Sequence, residues 1–288
     1  MPVQDRVPKL TGVTSGVTTG QAASADASLQ VTHPEAGVAV ITLDRPAARN
    51  SLSLGMLAEL SAAVAQFSSE RAVHAVILTA NGPAFCAGHD LKELTAARAA
   101  PDRGQAFFKQ TMDACSEVMQ AIMNSPKPFI AAVQGVATAA GCQLVATCDL
   151  AVASDAATFA TPGVNIGLFC STPMVALSRN VSRKQAMEML LLGEMLSARD
   201  ALAHGLVNRV VPHQAVIDEA LAMARAIAAK SPLTVAIGKA AFYRQLEQPI
   251  ADAYSFAANV MVENMMARDA AEGIGAFLEK RSPEWTGS

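Results

Sequence analysis

The chain has 288 residues, of which 51% are hydrophobic and 16% charged, and its formal net charge is -3. This length and apolar content allow a substantial core in one large domain or two modest ones. A slightly acidic chain without a basic stripe argues against a nucleic-acid surface, and no apolar run reaches the roughly 18 residues that a membrane span needs.

Residues 1–28 differ in composition from the rest of the chain. They are rich in Thr, Ser, Gly and Ala and show no amphipathic period, which predicts a disordered N-terminal extension. They lack the contiguous apolar stretch of a secretory signal. Arg6 and Lys9 alone do not make an Arg-rich transit peptide, although that interpretation stays open.

The first half of the chain alternates between short apolar strands and amphipathic helices. Strands are predicted at residues 29–33, 38–43, 75–79, 129–133, 150–153 and 158–160. Helices are predicted at residues 53–67, where Ser53 is the N-cap, at 103–122, and from about residue 139.

From Pro173 onward the apolar period is almost wholly helical. Ser197 begins a capped helix that Gly205 ends, before a strand at 207–211. Further helices are predicted at 216–230, 233–247, 250–268 and 270–281. The pattern predicts an α/β fold class, with the 1–28 extension, an α/β core at 29–212 and a C-terminal helical subdomain at 213–288.

Two glycine-containing segments, residues 82–91 and 134–144, carry the clearest chemical signal. Each brings a tight turn to the start of a predicted helix. Small side chains there leave backbone N–H groups open to an anionic oxygen.

The five cysteines are odd in number and scattered among mostly apolar neighbours, without metal-ligand spacing. This usage predicts buried, reduced thiols and no metal site. The cysteines are Cys86, Cys115, Cys142, Cys148 and Cys170.

Five separated motifs, in order, resemble the enoyl-CoA hydratase/isomerase (crotonase) superfamily. They are residues 43–52, 84–91, 127–149, 198–212 and 272–281, so the resemblance runs from about Leu29 to Trp285. One short motif would be weak, but five in order are specific. Residues 137–144 and 159–173 look more narrowly like the enoyl-CoA hydratase domain-containing protein 3 subgroup.

The resemblance implies a crotonase-like spiral of ββα units whose C-terminal helical subdomain is used in trimerisation, giving a homotrimer or a dimer of trimers. It implies an acyl-CoA thioester ligand of fatty-acid metabolism, with coenzyme A entering as part of the substrate and no permanently bound cofactor. The expected compartment is the cytoplasm for a bacterial protein, with the mitochondrial matrix as the alternative.

By similarity, an oxyanion hole for the thioester is formed by the backbone N–H groups of Ala87 and Ala140. The alternative is that both turns serve only close packing. The coenzyme A positions of the family fall on Ala48, Ala87, Asp90 and Leu91. By the same resemblance, phosphate is expected to meet Lys280 or Arg281, from this chain or from a neighbouring subunit in the family assembly; a solvated helix end is the equal alternative.

The sequence departs from the family at both catalytic glutamates. The first aligns with Gln143, which orients a water but cannot accept its proton at neutral pH, and the second with Gly163. Hydratase or isomerase activity is therefore expected to be weak or absent. A non-catalytic acyl-CoA-binding or regulatory protein is the alternative, and a serine peptidase is a remote third class.

Few residues near these positions are candidates to replace the two glutamates. Ser171 and Cys170 are candidate nucleophiles, but no partnering base is evident, which favours structural roles for both. His89 is expected to be a polar lining residue. Asp149, together with His204 and Asn208, is expected to be structural, in turns or caps.

Overall fold

The structure, a computed structural model, describes residues 28–288. All of the predicted N-terminal extension except Ser28 therefore lies outside the described residues.

A twisted sheet of six strands forms the centre of the described chain. Its spatial order is β1-β2-β3-β5-β7-β10; β1 pairs antiparallel with β2, and all other pairs are parallel. Its strands are β1 (Leu29–Glu35), β2 (Gly37–Leu43), β3 (Val73–Ala80), β5 (Phe129–Val133), β7 (Leu150–Ser154) and β10 (Arg209–Val211).

A smaller sheet of four short strands carries the turns that the sequence singled out. Its order is β4-β6-β8-β9, and its strands are β4 (Ala84–Cys86), β6 (Val136–Thr138), β8 (Thr158–Ala160) and β9 (Leu196–Ser197). A strand of the large sheet repeatedly leads into a strand of the small sheet and then into a helix. This repetition is the predicted spiral of ββα units.

Eleven α-helices surround the sheets in residues 28–288. They are α1 (Leu54–Ser69), α2 (Leu91–Ala97), α3 (Gln105–Asn124), α4 (Ala140–Thr147), α5 (Pro173–Leu177), α6 (Arg183–Leu192), α7 (Ala198–Ala203), α8 (Val216–Ala228), α9 (Pro232–Leu246), α10 (Ile250–Met265) and α11 (Arg268–Glu279). Ser53 is the N-cap of α1 as predicted, because its hydroxyl accepts from the Met56 N–H at 3.1 Å. Taken singly, none of these helices is long and apolar enough to span a membrane.

Two apolar clusters cover the two faces of the large sheet. Helices α1, α3 and α4 contribute to one cluster, and α8 contributes to the other through Val216, Ala220 and Ala224. Because α8 covers the sheet face that contains Val38 and Ile77, it belongs structurally with the α/β core. The C-terminal helical subdomain therefore begins at α9, whereas the sequence predicted that it begins at residue 213.

A buried ion pair attaches α9 to the core. The Lys239 ammonium donates to Asp149 Oδ2 at 2.8 Å and to the Lys127 carbonyl at 2.9 Å. Asp149 also accepts from the Phe129 N–H at 2.7 Å and the Tyr243 hydroxyl at 2.9 Å. Asp149 is therefore structural, as predicted, and it links two strands of the sheet to the C-terminal helices.

A second buried carboxylate holds the last residues of the chain. Asp269 accepts from the Ser231 hydroxyl at 2.6 Å, the Thr286 N–H at 2.8 Å and the Gly287 N–H at 3.0 Å. These hydrogen bonds outweigh the opposing effect of burial, which is the largest single contribution, and lower the pKa of Asp269 to about 2. The carboxylate is therefore ionised at neutral pH and fixes residues 286–287 against the start of α9.

Candidate functional site

The turn after β4 and the start of α4 lie in direct contact, as the two glycine-containing segments suggested. A Cβ on Gly88 would lie 2.9 Å from the Ala139 Cβ and 3.4 Å from the Ala140 nitrogen. A Cβ on Gly141 would overlap the carbonyl oxygen of Cys86. Glycine at positions 88 and 141 therefore allows the two backbones to approach closely enough to form one site.

One free backbone N–H in this site belongs to His89 rather than to Ala87. His89 forms a parallel bridge with Leu52, whose N–H donates to the Gly88 carbonyl at 2.8 Å and whose carbonyl accepts from the Asp90 N–H at 3.2 Å. The His89 N–H between them points to the opposite side and has no acceptor within residues 28–288.

The Ala87 N–H is already engaged, because it donates to the Arg49 carbonyl at 3.1 Å. The prediction that Ala87 supplies an oxyanion donor is therefore wrong on this geometry. Successive peptide groups of an extended turn face opposite ways, and the motif alone does not show which of them faces the site.

The second free N–H belongs to Ala140, the other residue that the sequence predicts as an oxyanion donor. Ala140 is the first residue of α4, and first-turn amides have no partner inside their helix. The preceding residue, Ala139, has a φ of 50°, which is uncommon for a side chain larger than hydrogen. Ala140 is buried, so its N–H is held out of bulk water. Because a Cβ on Gly88 would lie in contact with the Ala140 nitrogen, the two free N–H groups lie on adjacent turns.

Three side chains at this site carry buried polar atoms without any partner in the described chain. They are Gln143 through Oε1, Thr161 through Oγ1, and His89 through both ring nitrogens. Burial lowers the pKa of His89, and the nearby Leu52 carbonyl opposes this only in part because it does not reach hydrogen-bond geometry. The imidazole is therefore neutral at pH 7. Sequence reasoning did not identify Thr161, whose only signal is its place directly after β8.

Gly163, to which the sequence resemblance assigns the second glutamate position, has no room for a side chain in this structure. A Cβ there would lie 2.8 Å from the Leu168 carbonyl oxygen and 2.9 Å from the Cys170 sulfur. The loop is closed by the Leu168 N–H, which donates to the Gly163 carbonyl at 2.9 Å. The segment that follows Gly163 has therefore folded into the space that a side chain would need.

The two candidate nucleophiles of this loop do not have the surroundings of active nucleophiles. Cys170 is buried, and burial raises the pKa of its thiol. The Ser171 hydroxyl is exposed and donates to the Phe169 carbonyl at 3.3 Å. Neither side chain hydrogen-bonds to a histidine in residues 28–288, which agrees with the structural roles favoured by the sequence.

The predicted coenzyme A positions are only partly free. Ala48, half-buried at the end of a 3-10 turn, and Leu91, 53% exposed at the start of α2, remain accessible. Asp90 is engaged, because it caps α2 by accepting from the Lys92 N–H at 3.0 Å and pairs with Arg45 at 3.3 Å.

Of the two basic residues at the end of α11, Lys280 is the better placed for an external anion. Arg281 forms a two-pronged pair with Glu272 at 2.6 Å and 2.9 Å, whereas Lys280 has no ion pair among the described residues. Helix α11 packs on α9 and α10, and no hydrogen bond within residues 28–288 joins Lys280 to the turn after β4.

Comparison with known proteins supports the sequence resemblance. A family model described as enoyl-CoA hydratase/isomerase matches residues 33–288. The chain is 49% identical over 258 residues to "Enoyl-CoA hydratase domain-containing protein 3, mitochondrial" of Rattus norvegicus, covering 90% of this chain and 84% of that protein. The human protein of that name is 49% identical over 250 residues, covering 87% and 81% of the two chains.

Solved structures agree with these relatives. The crystal structure of an enoyl-CoA hydratase from Mycobacterium smegmatis superposes with a TM-score of 0.86 at 53% identity, covering 90% of this chain and 99% of that one. The structure of human enoyl-CoA hydratase domain-containing protein 3 has a TM-score of 0.85 at 47% identity, with coverage of 90% and 100%.

Proposed function

The chain belongs to the enoyl-CoA hydratase/isomerase family, and we propose on that premise that it binds acyl-CoA thioesters with the thioester oxygen at the N–H groups of His89 and Ala140. The observation that carries the proposal is the pair of N–H groups, one half-buried at His89 and one buried at Ala140, that have no acceptor within residues 28–288 and lie on adjacent turns. Donors of this kind stabilise the negative charge that develops on a thioester oxygen during acyl-CoA chemistry. Coenzyme A enters as part of the ligand.

The same site is poorly equipped to hydrate an enoyl thioester. Hydration needs a group that takes a proton from water, and the Gln143 amide cannot do so at neutral pH. Gly163 supplies nothing that titrates, and its loop leaves no room for a substitute. The proposal is therefore a hydratase-like protein with altered or weak chemistry, or, as the second candidate, a non-catalytic acyl-CoA-binding protein.

Purified wild-type protein is expected to bind butyryl-CoA in calorimetry but to hydrate crotonyl-CoA at least about 10³-fold more slowly than an ordinary hydratase, because both acid-base groups are missing. Gln143→Glu, which keeps the side-chain shape, is expected to raise the rate, while the matched Gln143→Leu is not. Gly163→Glu is unsuitable as a partner change, because the loop would have to move. Wild-type turnover at the level of ordinary hydratases would contradict the proposal.

The names of the relatives bear on the cellular compartment in which this protein works. The animal proteins in the comparison carry the word mitochondrial in their names, while an enoyl-CoA hydratase of Mycobacterium smegmatis is equally similar in fold. The names favour the mitochondrial alternative over the cytoplasmic one.

We further propose that the C-terminal helices join copies of this chain into a homotrimer or a dimer of trimers. Large apolar side chains on α10, α11 and the end of α9 face solvent in the single chain, including Tyr254 at 74%, Met266 at 83% and Phe277 at 81% exposure. Exposed apolar area of this extent marks an interaction surface.

Analytical ultracentrifugation is expected to give the mass of three or six chains for the wild type. Phe277→Asp is expected to lower that mass, because a charge placed in an apolar interface loses its hydration. Val31→Asp on β1, which changes an exposed apolar residue outside these helices, is the matched control and should leave the mass unchanged. A monomeric wild type would refute the assembly.

A further inference from the structure

Segment 49–52, within the first of the five family motifs, lies along the turn that carries the free N–H of His89. This turn, residues 87–90, is the donor turn. The Arg49 carbonyl accepts from the first N–H of the donor turn at 3.1 Å. Leu52 donates to the carbonyl before His89 at 2.8 Å and accepts from the N–H after it at 3.2 Å. Segment 49–52 therefore fixes the donor turn on both sides of the free N–H.

Two consecutive residues with left-handed backbone shape this segment. Arg49 has a φ of 50° and Asn50 a φ of 53°, a region that side chains rarely adopt. The peptide group between them is bonded in both directions. Its carbonyl accepts from the donor turn, and its N–H donates to the Arg45 carbonyl at 2.9 Å. Backbone of this kind persists only where the surrounding structure holds it in place.

The Asn50 side chain supplies the contacts that hold it. Asn50 is fully buried, and its Oδ1 accepts from the Arg45 N–H at 2.8 Å. Both hydrogens of its amide are used, because Nδ2 donates to the Asn81 carbonyl at 2.9 Å and to the Ala84 carbonyl at 2.8 Å. These two carbonyls bound the loop that leads into β4 and then into the donor turn. One side chain therefore ties segment 49–52 to both ends of that loop.

The two parts of the chain that Asn50 joins are in close contact. A Cβ on Gly82, in the loop before β4, would lie 2.6 Å from the Pro46 Cβ. Pro46 begins the 3-10 turn that contains Ala48, one of the expected coenzyme A residues. Asn50 therefore links the turn that carries Ala48 to the donor turn that carries the free N–H of His89.

Resting on the proposed function, we propose that Asn50 is a positioning residue that holds the His89 N–H where it receives the thioester oxygen. Because Asn50 is fully buried, it acts through the Arg49 carbonyl and the loop before β4. Donors that are already in place stabilise an oxygen better than donors that must first move. Loss of the Asn50 amide therefore weakens recognition of the thioester oxygen and leaves binding of the rest of the ligand.

The test compares the dissociation constants of two probes by calorimetry. One is butyryl-CoA, and the other is S-butyl-CoA, a thioether in which a methylene replaces the carbonyl. The wild type is expected to bind butyryl-CoA about tenfold more tightly, the effect of one or two net hydrogen bonds to the oxygen. Asn50→Gly tolerates a left-handed backbone and removes the amide. It is expected to reduce this ratio to about threefold or less, through weaker binding of butyryl-CoA.

The matched control is Asn180→Ala. The Asn180 amide also donates to two carbonyls, those of Ala146 at 2.7 Å and Ala176 at 2.8 Å, but these join the end of α4 to the end of α5. Its loss should keep the tenfold ratio. Thermal melts establish that each variant folds, and Asn50→Ser, which retains one hydroxyl donor, replaces Asn50→Gly if the latter does not fold and is expected to lower the ratio as well.

Infrared spectroscopy of butyryl-CoA labelled with ¹³C at the carbonyl gives a second measurement. Hydrogen bonds to the oxygen lower the carbonyl stretching frequency on binding to the wild type. The shift is expected to be smaller with Asn50→Gly and unchanged with Asn180→Ala. A purely structural role for Asn50 would lower the melting temperature without changing the shift or the ratio.

Failure of the inference and failure of the proposed function give different results. A ratio that stays near tenfold in a folded Asn50 variant would overturn the positioning role and leave thioester binding intact. Equal affinity of the wild type for both probes would show that the thioester oxygen does not lie at the two N–H groups. If butyryl-CoA does not bind at all, the proposed function is wrong, and the inference falls with it.

Discussion

A Gly141→Ala variant is expected to lose about 3 kcal/mol of unfolding free energy and to lose acyl-thioester binding, because one added methyl has no space. The Cβ would overlap the Cys86 carbonyl oxygen, and it would come within 2.7 Å of the Cys86 carbonyl carbon and 2.8 Å of its Cβ. These atoms belong to β4, which is paired to β6. Relief therefore requires α4 to move away from β4, which separates the two free N–H groups.

Urea unfolding and butyryl-CoA calorimetry measure the two losses. Gly238→Ala is the matched control, because Gly238 lies inside α9 with nothing within 4 Å of an added Cβ. That change is expected to stabilise the protein by up to about 1 kcal/mol, through the higher helix propensity of alanine. A Gly141→Ala protein that unfolds and binds like the wild type would show that the contact of α4 with β4 does not constrain the site.

A Lys239→Met variant is expected to cost about 3–5 kcal/mol of unfolding free energy, because it leaves a buried carboxylate without its counter-ion. The side chains of Lys239 and Asp149 are 6% and 15% exposed. The Lys239 ammonium also donates hydrogen bonds to the carbonyls of Ile122 and Lys127, and methionine has no donor to replace them. The loss should be concentrated where α9 joins the core.

Chemical denaturation measures the loss, and amide hydrogen exchange locates it. The control is Lys109→Met, which removes an exposed pair with Asp113 and is expected to cost less than about 1 kcal/mol. The double variant Lys239→Met with Asp149→Leu should cost less than the two single losses together, since it leaves no unpaired charge. Strict additivity of the two changes would argue that the pair is not energetically coupled.

The large elements of the fold could be predicted from periodicity. Strands β2, β3, β5 and β7 are continuous apolar runs, and α1 and α3 show a clear helical apolar face, so their existence and approximate limits follow from the sequence. Strands β4 and β6 could not be predicted in the same way, because each has three residues inside a glycine-containing segment. The pairing of these strands depends on tertiary contacts that no local pattern contains.

The position of α8 illustrates a second limit. Periodicity correctly predicts that α8 is a helix. The sequence analysis assigns α8 to the C-terminal helical subdomain, but its small residues Ala220 and Ala224 pack on the sheet. Periodicity shows which face of a helix is apolar. It does not show which surface that face covers.

The site could be predicted only at the level of its backbone turns. The motifs identified both turns and the departures at Gln143 and Gly163. They did not show that the Ala87 N–H donates to the Arg49 carbonyl while the His89 N–H is free. They also did not show that the Thr161 hydroxyl has no hydrogen-bond partner in residues 28–288. Both facts depend on which atoms meet across different parts of the chain.

The closed loop after Gly163 covers a thiol, that of Cys170, whose chemical reactivity can report the opening of the loop. Cys170 is 7% exposed, and its sulfur lies against Gly163, so an alkylating reagent reaches the thiol only when this loop opens. The other four cysteines are also buried, so labelling in the native state depends on local opening. The alkylation rate of Cys170, followed by mass spectrometry, therefore reports how often the loop after Gly163 opens. If the proposed function holds, butyryl-CoA is expected to lower that rate.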